Sequence, residues 1–296
     1  MTAFCRATTT FKPPLPVRLR RWWTTALILC AVVLLCAFSL LPIAWAFASS
    51  LMPLEKVYTY PPAFSLDDPQ WSNYGEAVTR LPVARFLVNS LVITLSSVVG
   101  AVITSSMAGF ALARLRFRWR GALLICVLIS MMIPAQVLLI PRFLLYDLLG
   151  WVGTYKPLIV PAWLGGGAFN VLLFRQFFRM IPQDYEDAAR LDGATTWQTY
   201  RLILLPMVKP AIVAAAVLSF VYHWQEFLDP LIYLGDYSKY PISLGLRMYQ
   251  TQAGTWANLL MAASLIALVP VAIMFFLCDR YVMRGLGVEQ TVTRTT

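Results

Sequence analysis

The chain has 296 residues, 59% of them hydrophobic and only 13% charged, which is too apolar for an ordinary soluble domain. Its formal net charge of +10 would suit nucleic acid, but the basic residues gather in short segments between apolar runs, as in a membrane protein. Membrane lipid, and not nucleic acid, is the expected partner.

Runs of about 20 apolar residues recur, each long enough to cross a bilayer as a helix. Backbone polar groups in lipid need internal partners, so helices are the expected form. The fold class is all-α: a polytopic membrane protein with six transmembrane helices. Residues 1–21 make a polar N-terminal tail with Lys12, Arg18, Arg20 and Arg21. The run from about 22 to 47 is too long for the core of a secretory signal. It reads as a retained first span with Trp22 and Trp23 at the interface. A polar loop with Pro53, Pro61, Pro62, Pro69 and Pro82 follows and contains Trp71-Ser72-Asn73-Tyr74.

The second span covers about 86–113. Ser97, Ala101, Ser105 and Gly109, with Ser96, Gly100, Thr104 and Ala108 beside them, make one smooth face at helical spacing. That face serves either packing within this chain or an interface or pathway wall. Arg114, Arg116, Arg118 and Arg120 lead to the third span, about 121–140, with Pro134 inside it. The fourth span, about 157–174, contains Pro161 and Gly165-Gly166-Gly167. Each glycine weakens a helix by roughly 1 kcal/mol against alanine, so the run suits either a bend or a close crossing.

Residues 175–209 include the most acidic part of the chain. Pro182, then Asp184, Glu186 and Asp187, suit the positive N-terminal end of a helix. Gly193 should stop that helix, and Thr195 with Gln198 three residues on should cap a second one. The spacing predicts two short helices meeting at about a right angle around Asp192-Gly193-Ala194. The segment has too few large apolar residues for a core of its own, so it should dock on something.

The fifth span, about 211–231, is featureless in its first half and carries His223, Gln225, Glu226 and Asp229 in its second. On an unbroken helix, Tyr222, Glu226, Asp229 and Tyr233 share one face. Intramembrane carboxylates face a cavity or a partner, and with aromatic rings they suit sugar hydroxyls and C–H faces. Pro230 allows the other reading, that the acids simply reach the interface. His223 reads as an interface histidine rather than a proton relay. The sixth span covers about 256–278, and 288–296 is a loose tail. Six spans put both termini on one side. With that side cytoplasmic, 17 of the 24 lysines and arginines lie inside, which favours this orientation.

Nothing in the chain suits catalysis. It has no Gly-Lys-Ser/Thr phosphate loop, one histidine, no zinc-ligand cluster and no Ser/His/Asp set. The five cysteines show no CxxC spacing and read as small apolar residues.

Asp187-Ala188-Ala189, Gly193 and Leu205-Pro206 resemble the cytoplasmic "EAA" loop of bacterial ABC importer permeases, with Asp in place of the usual first Glu. Glu186, beside it, has the usual length. Met132-Ile133-Pro134-Ala135-Gln136 with Pro141, and His223-Trp224-Gln225-Glu226-Phe227-Leu228-Asp229-Pro230-Leu231, with Gln225 where Asn is usual, are similar to stretches of the carbohydrate, maltose-type branch. In that family the loop is a coupling helix that docks in a groove of the ATP-hydrolysing subunit.

The resemblance implies a permease domain over 22–287. Its coupling loop is 175–209, with Glu186, Asp187, Ala188, Ala189, Asp192, Gly193 and Ala194 at the docking surface. It also implies two ATP-binding subunits, a second related permease and an extracytoplasmic solute-binding protein, in a bacterial inner membrane. ATP and magnesium would sit on the partner ATPase, and this chain would bind no cofactor and catalyse nothing. The expected cargo is a sugar or oligosaccharide carried past Tyr222, Glu226, Asp229 and Tyr233. Another solute, such as a glycerophosphodiester or peptide, is the alternative. A stand-alone carrier or membrane enzyme is the more distant one.

Overall fold

The computed structural model describes residues 15–60, 68–251 and 254–285. Most of the expected N-terminal tail (1–14), Pro61, Pro62 and the C-terminal tail lie outside the described residues.

Helix α1 (Leu15–Ser50) is the first span. The expected plain loop after it contains α2 (Leu54–Val57) and α3 (Ser72–Arg80). Asn73 holds α3 in place: its Nδ2 donates to Ser50 O at 2.9 Å and to Met52 O at 3.1 Å. Helix α4 (Val83–Arg114) has 32 residues, about 48 Å of helix. It overshoots a hydrocarbon core of about 30 Å.

The third span is not the single helix expected over 121–140. Helix α5 (Arg120–Met132) stops because Ile133 precedes proline and takes ψ 117°; the proline ring disfavours helical backbone in the residue before it. A 3-10 turn leads to α6 (Leu139–Leu148), and this second half leaves at 96° to the first. The fourth span, α7 (Lys156–Trp163) and α8 (Ala168–Met180), is broken at 164–167 and runs past the expected end. A Cβ on Gly166 would collide with the Ala101 carbonyl, and its φ is +66°. Break and close crossing are therefore both present.

Helices α9 (Asp184–Leu191) and α10 (Thr196–Gln198), a π-helical turn (Thr199–Leu204) and α11 (Leu205–Met207) make the acidic segment. Helix α12 (Lys209–Gln225) follows at 77° to the 196–207 stretch. It ends at Gln225, since Glu226 is extended at ψ 123°. Then come α13 (Leu228–Tyr233), α14 (Ile242–Arg247), a hairpin of β1 (Gln250–Thr251) with β2 (Gly254–Thr255), and α15 (Ala257–Gly285). Four stretches, Trp22–Ser50, Val83–Arg114, Lys156–Met180 and Ala257–Cys278, are each long and apolar enough to cross a membrane. Among the described residues, counting each of the two bent pairs as one span gives six.

Helix α4 is the centre of the bundle, with α7, α8 and α12 packed on it, while α15 joins α12, α3 and α1. The smooth face of α4 packs inside the chain. Ser97 Oγ donates to Leu158 O at 3.2 Å, Thr104 Oγ1 to Ala162 O at 3.2 Å, and Trp163 Nε1 to Ser96 O at 3.1 Å. At Gly109 a Cβ would lie 2.6 Å from Phe174 Cβ. One apolar core gathers Phe86, Trp224, Tyr249 and Leu259. A second, at the other end of α4, gathers Phe110, Phe174, Phe178, Tyr200 and Leu204.

Candidate functional site

Two sites border α4, one at its C-terminal end and one along its N-terminal half and middle. At its C-terminal end lies the acidic hook, residues 184–207. Gly193 takes φ +79°, the left-handed conformation that closes a helix, and its N–H donates to Arg190 O at 3.0 Å. Thr195 then forms the expected capping box. Its Oγ1 accepts from Gln198 N at 3.3 Å, and Gln198 Oε1 accepts from Thr195 N at 2.8 Å. Asp187, Ala188, Asp192 and Gly193 are exposed and Ala194 is half-buried. Leu191 is 90% exposed, and Tyr185 and Trp197 also face outward. An exposed apolar surface rimmed by acids suits a protein partner.

Two residues expected on that surface are not there. Glu186 and Ala189, three apart on α9, both face inward and are buried. The Glu186 carboxylate lies 3.0 Å from Arg114 Nε, with the two side chains 8% and 10% exposed. Arg114 Nη2 also donates to the Phe178 and Ile181 carbonyls. The segment is also less dependent on an outside partner than expected. Tyr200, Leu204 and Val208 are buried in the chain's own core, and the Tyr200 hydroxyl meets Ser106 Oγ at 2.8 Å.

The second site is a cavity of about 730 Å³ bounded by α4, α5, α6, α7, α8, α12 and α13. Two of the helix breaks border it, at Gly166–Gly167 and at Glu226. Tyr222, Glu226 and Asp229 line it as expected, but Tyr233 does not. The break at Glu226 turns α13 out of register with α12. Tyr233 is instead fully buried beside Phe143 and Tyr146. Glu226 Oε1 accepts from Leu228 N at 3.0 Å and Asp229 N at 3.2 Å, so it caps α13.

Arg142, Asn170 and Ser219 also face the cavity, as does His223, beyond the residues expected there. Arg142 Nη2 donates to Asp229 Oδ2 at 2.8 Å. Asn170 Nδ2 donates to Gly166 O at 2.8 Å and to Ser219 Oγ at 2.9 Å. The available signal was Arg142 itself, a lone charge amid apolar residues, which marks a functional position in a membrane segment. Among the described residues no group of three or more His, Cys, Asp or Glu is placed to hold a metal ion.

Residues 100–287 match the model of the family described as binding-protein-dependent transport system inner membrane component. The chain belongs to that family. It is similar to the sn-glycerol-3-phosphate transport system permease protein UgpE of Brucella abortus, with 33% identity over 269 residues covering 88% of this chain and 94% of the relative. It is 36% identical over 200 residues to the arabinooligosaccharides transport system permease protein AraQ of Halalkalibacterium halodurans, covering 68% and 71%. It is 31% identical over 295 residues to the maltose/maltodextrin transport system permease protein MalG of Yersinia pestis, covering 92% and 94%. Its fold matches a chain in the crystal structure of a bacterial ABC transporter that imports alginate. The TM-score is 0.76 at 23% identity, over 93% of this chain and 99% of the other. This member of the family is thus an all-α, multi-pass inner-membrane permease component of a binding-protein-dependent transport system.

Proposed function

We propose that the chain is the transmembrane permease subunit of an ATP-driven importer for a sugar or oligosaccharide. It forms one half of the pathway, its hook docks on an ATP-binding subunit, and a second related permease completes the membrane part. Two ATPase subunits and an extracytoplasmic solute-binding protein complete the assembly. ATP and magnesium belong to the ATPase; the permease binds no cofactor and performs no chemistry. Both termini and the hook lie in the cytoplasm, on the side where the basic residues concentrate.

The observation that carries the substrate class is the charge of the cavity wall. It carries two acidic side chains, Glu226 and Asp229, and one arginine, Arg142, whose guanidinium is already held by Asp229. A phosphate monoester needs arginine or lysine donors free to chelate it. Hydroxyl groups, by contrast, donate readily to Glu226 and Asp229 and accept from the Tyr222 hydroxyl. Relatives that carry arabinooligosaccharides and maltodextrins support this reading. The sn-glycerol-3-phosphate relatives favour a second one, an anionic three-carbon solute.

Movement follows from differential contact. ATP draws the paired ATPases together, the docked hooks move with them, and the cavity changes the side on which it opens. The test is reconstitution of the whole transporter in liposomes. ATP hydrolysis should rise with binding protein loaded with a neutral oligosaccharide and not with glycerol phosphate. Stimulation by glycerol phosphate alone establishes the second reading.

A further inference from the structure

We propose that Arg114, clasped by Glu186, is a positioning residue for coupling: it makes the base of the hook and the end of α4 one rigid body, so displacement of the hook moves the cavity wall. The inference rests on the importer reading above and names the route within this chain.

Arg114 is the last residue of α4. Its guanidinium joins α4 to two other elements at once. Nε forms an ion pair with Glu186 in the first turn of α9 at 3.0 Å, without the alignment of a hydrogen bond, and Nη2 donates to the carbonyls of Phe178 and Ile181 at the end of α8. Carbonyls in a helix's last turn lack intrahelical donors, so this cation serves as the cap of α8 as well as the counter-charge of α9. Both side chains are about nine-tenths buried. They cannot trade partners with water as a surface pair does.

The neighbouring pair on the same helix makes the contrast. Asp187 and Arg190 are 3.5 Å apart and well exposed, and they join α9 only to itself. Two further contacts secure the joint. Arg120 Nε donates to Leu112 O at 3.0 Å and Nη2 to Ala113 O at 3.1 Å, fixing the end of α4. Tyr200 meets Ser106 at 2.8 Å, tying the second half of the hook to the same helix. Further along α4, Ala101, Ile93 and Ser90 border the cavity. A push on the hook therefore reaches the pathway through one helix.

The experiment uses the complete reconstituted transporter with solute-loaded binding protein, and reads uptake and ATP hydrolysis together. Glu186→Gln should lower solute moved per ATP hydrolysed about tenfold, within the usual range of coupling between sites, while hydrolysis persists. A purely architectural pair would lower uptake and hydrolysis in proportion; an unchanged ratio overturns the proposal. A second measurement keeps Glu186. Spin labels at Leu191→Cys and Met107→Cys, on hook and α4, should hold one distance in nucleotide-free and ATP-bound states. A distance that shifts between the states overturns the proposal even if Glu186→Gln fails to assemble. If the unaltered transporter shows no solute-stimulated hydrolysis, the importer reading itself fails and takes the proposal with it.

Discussion

Arg114–Glu186 and Arg142–Asp229 are the same chemistry in two settings. The first pair is 3.0 Å apart at the root of the hook and closed off from solvent. The second is 2.8 Å apart, its side chains are 29% and 21% exposed, and it forms part of a cavity wall. Breaking a sealed pair leaves a charge with nowhere to go, whereas water in the cavity can screen the other. Burial, rather than the pairing of residue types, separates a joint in the architecture from a surface that can exchange partners with a passing solute.

The comparison can be broken most directly at Glu186. Glu186→Ala strands the Arg114 guanidinium and should cost about 3–5 kcal/mol. Thermal unfolding of the detergent-solubilised chain reads this, and a loss no larger than that of Asp229→Ala breaks the contrast. Gly193→Val comes next. Its left-handed backbone should cost a β-branched residue about 1–2 kcal/mol, and solute-stimulated ATP hydrolysis should fall because the hook no longer turns at Asp192–Ala194. Undiminished stimulation would remove the hook from the coupling route.

Asp229→Asn sharpens the other side of the comparison. It should change stability by about 1 kcal/mol or less, yet free Arg142 and let the cavity accept anionic solutes. Competition of glycerol phosphate with oligosaccharide uptake checks it, and continued indifference to the anion counts against the cavity as the site of selection. The smallest structural effect is expected at Asp187→Asn. Its pair with Arg190 is open to solvent, so the melting point should not move, while affinity for the ATP-binding subunit drops. Co-purification of that subunit is the readout.

The long uninterrupted spans were legible because each is one apolar run between polar ends, as in α1, α4 and α15. The hook's turn was legible too, since Gly193, Thr195 and Gln198 carry their conformations in their own chemistry. The broken spans were not. Periodicity assumes a continuous helix, and a stop at Ile133 or Glu226 resets the register for everything after it. That is why Tyr233 was placed with Tyr222 and instead lies in a core. Glu186 was misplaced for another reason. Membership of a motif does not say which face of a two-turn helix a residue takes, and only the position of Arg114, far away in sequence, decides it.

The glycines at the α4 crossing have a mechanical consequence. At Gly166 and Gly109 main chain rests on its neighbour with no side chain of its own between them. Contact this close leaves no clearance, so the spacing of the crossing is set by main chain and not by side-chain bulk. A single added methyl group at either glycine would wedge the helices apart.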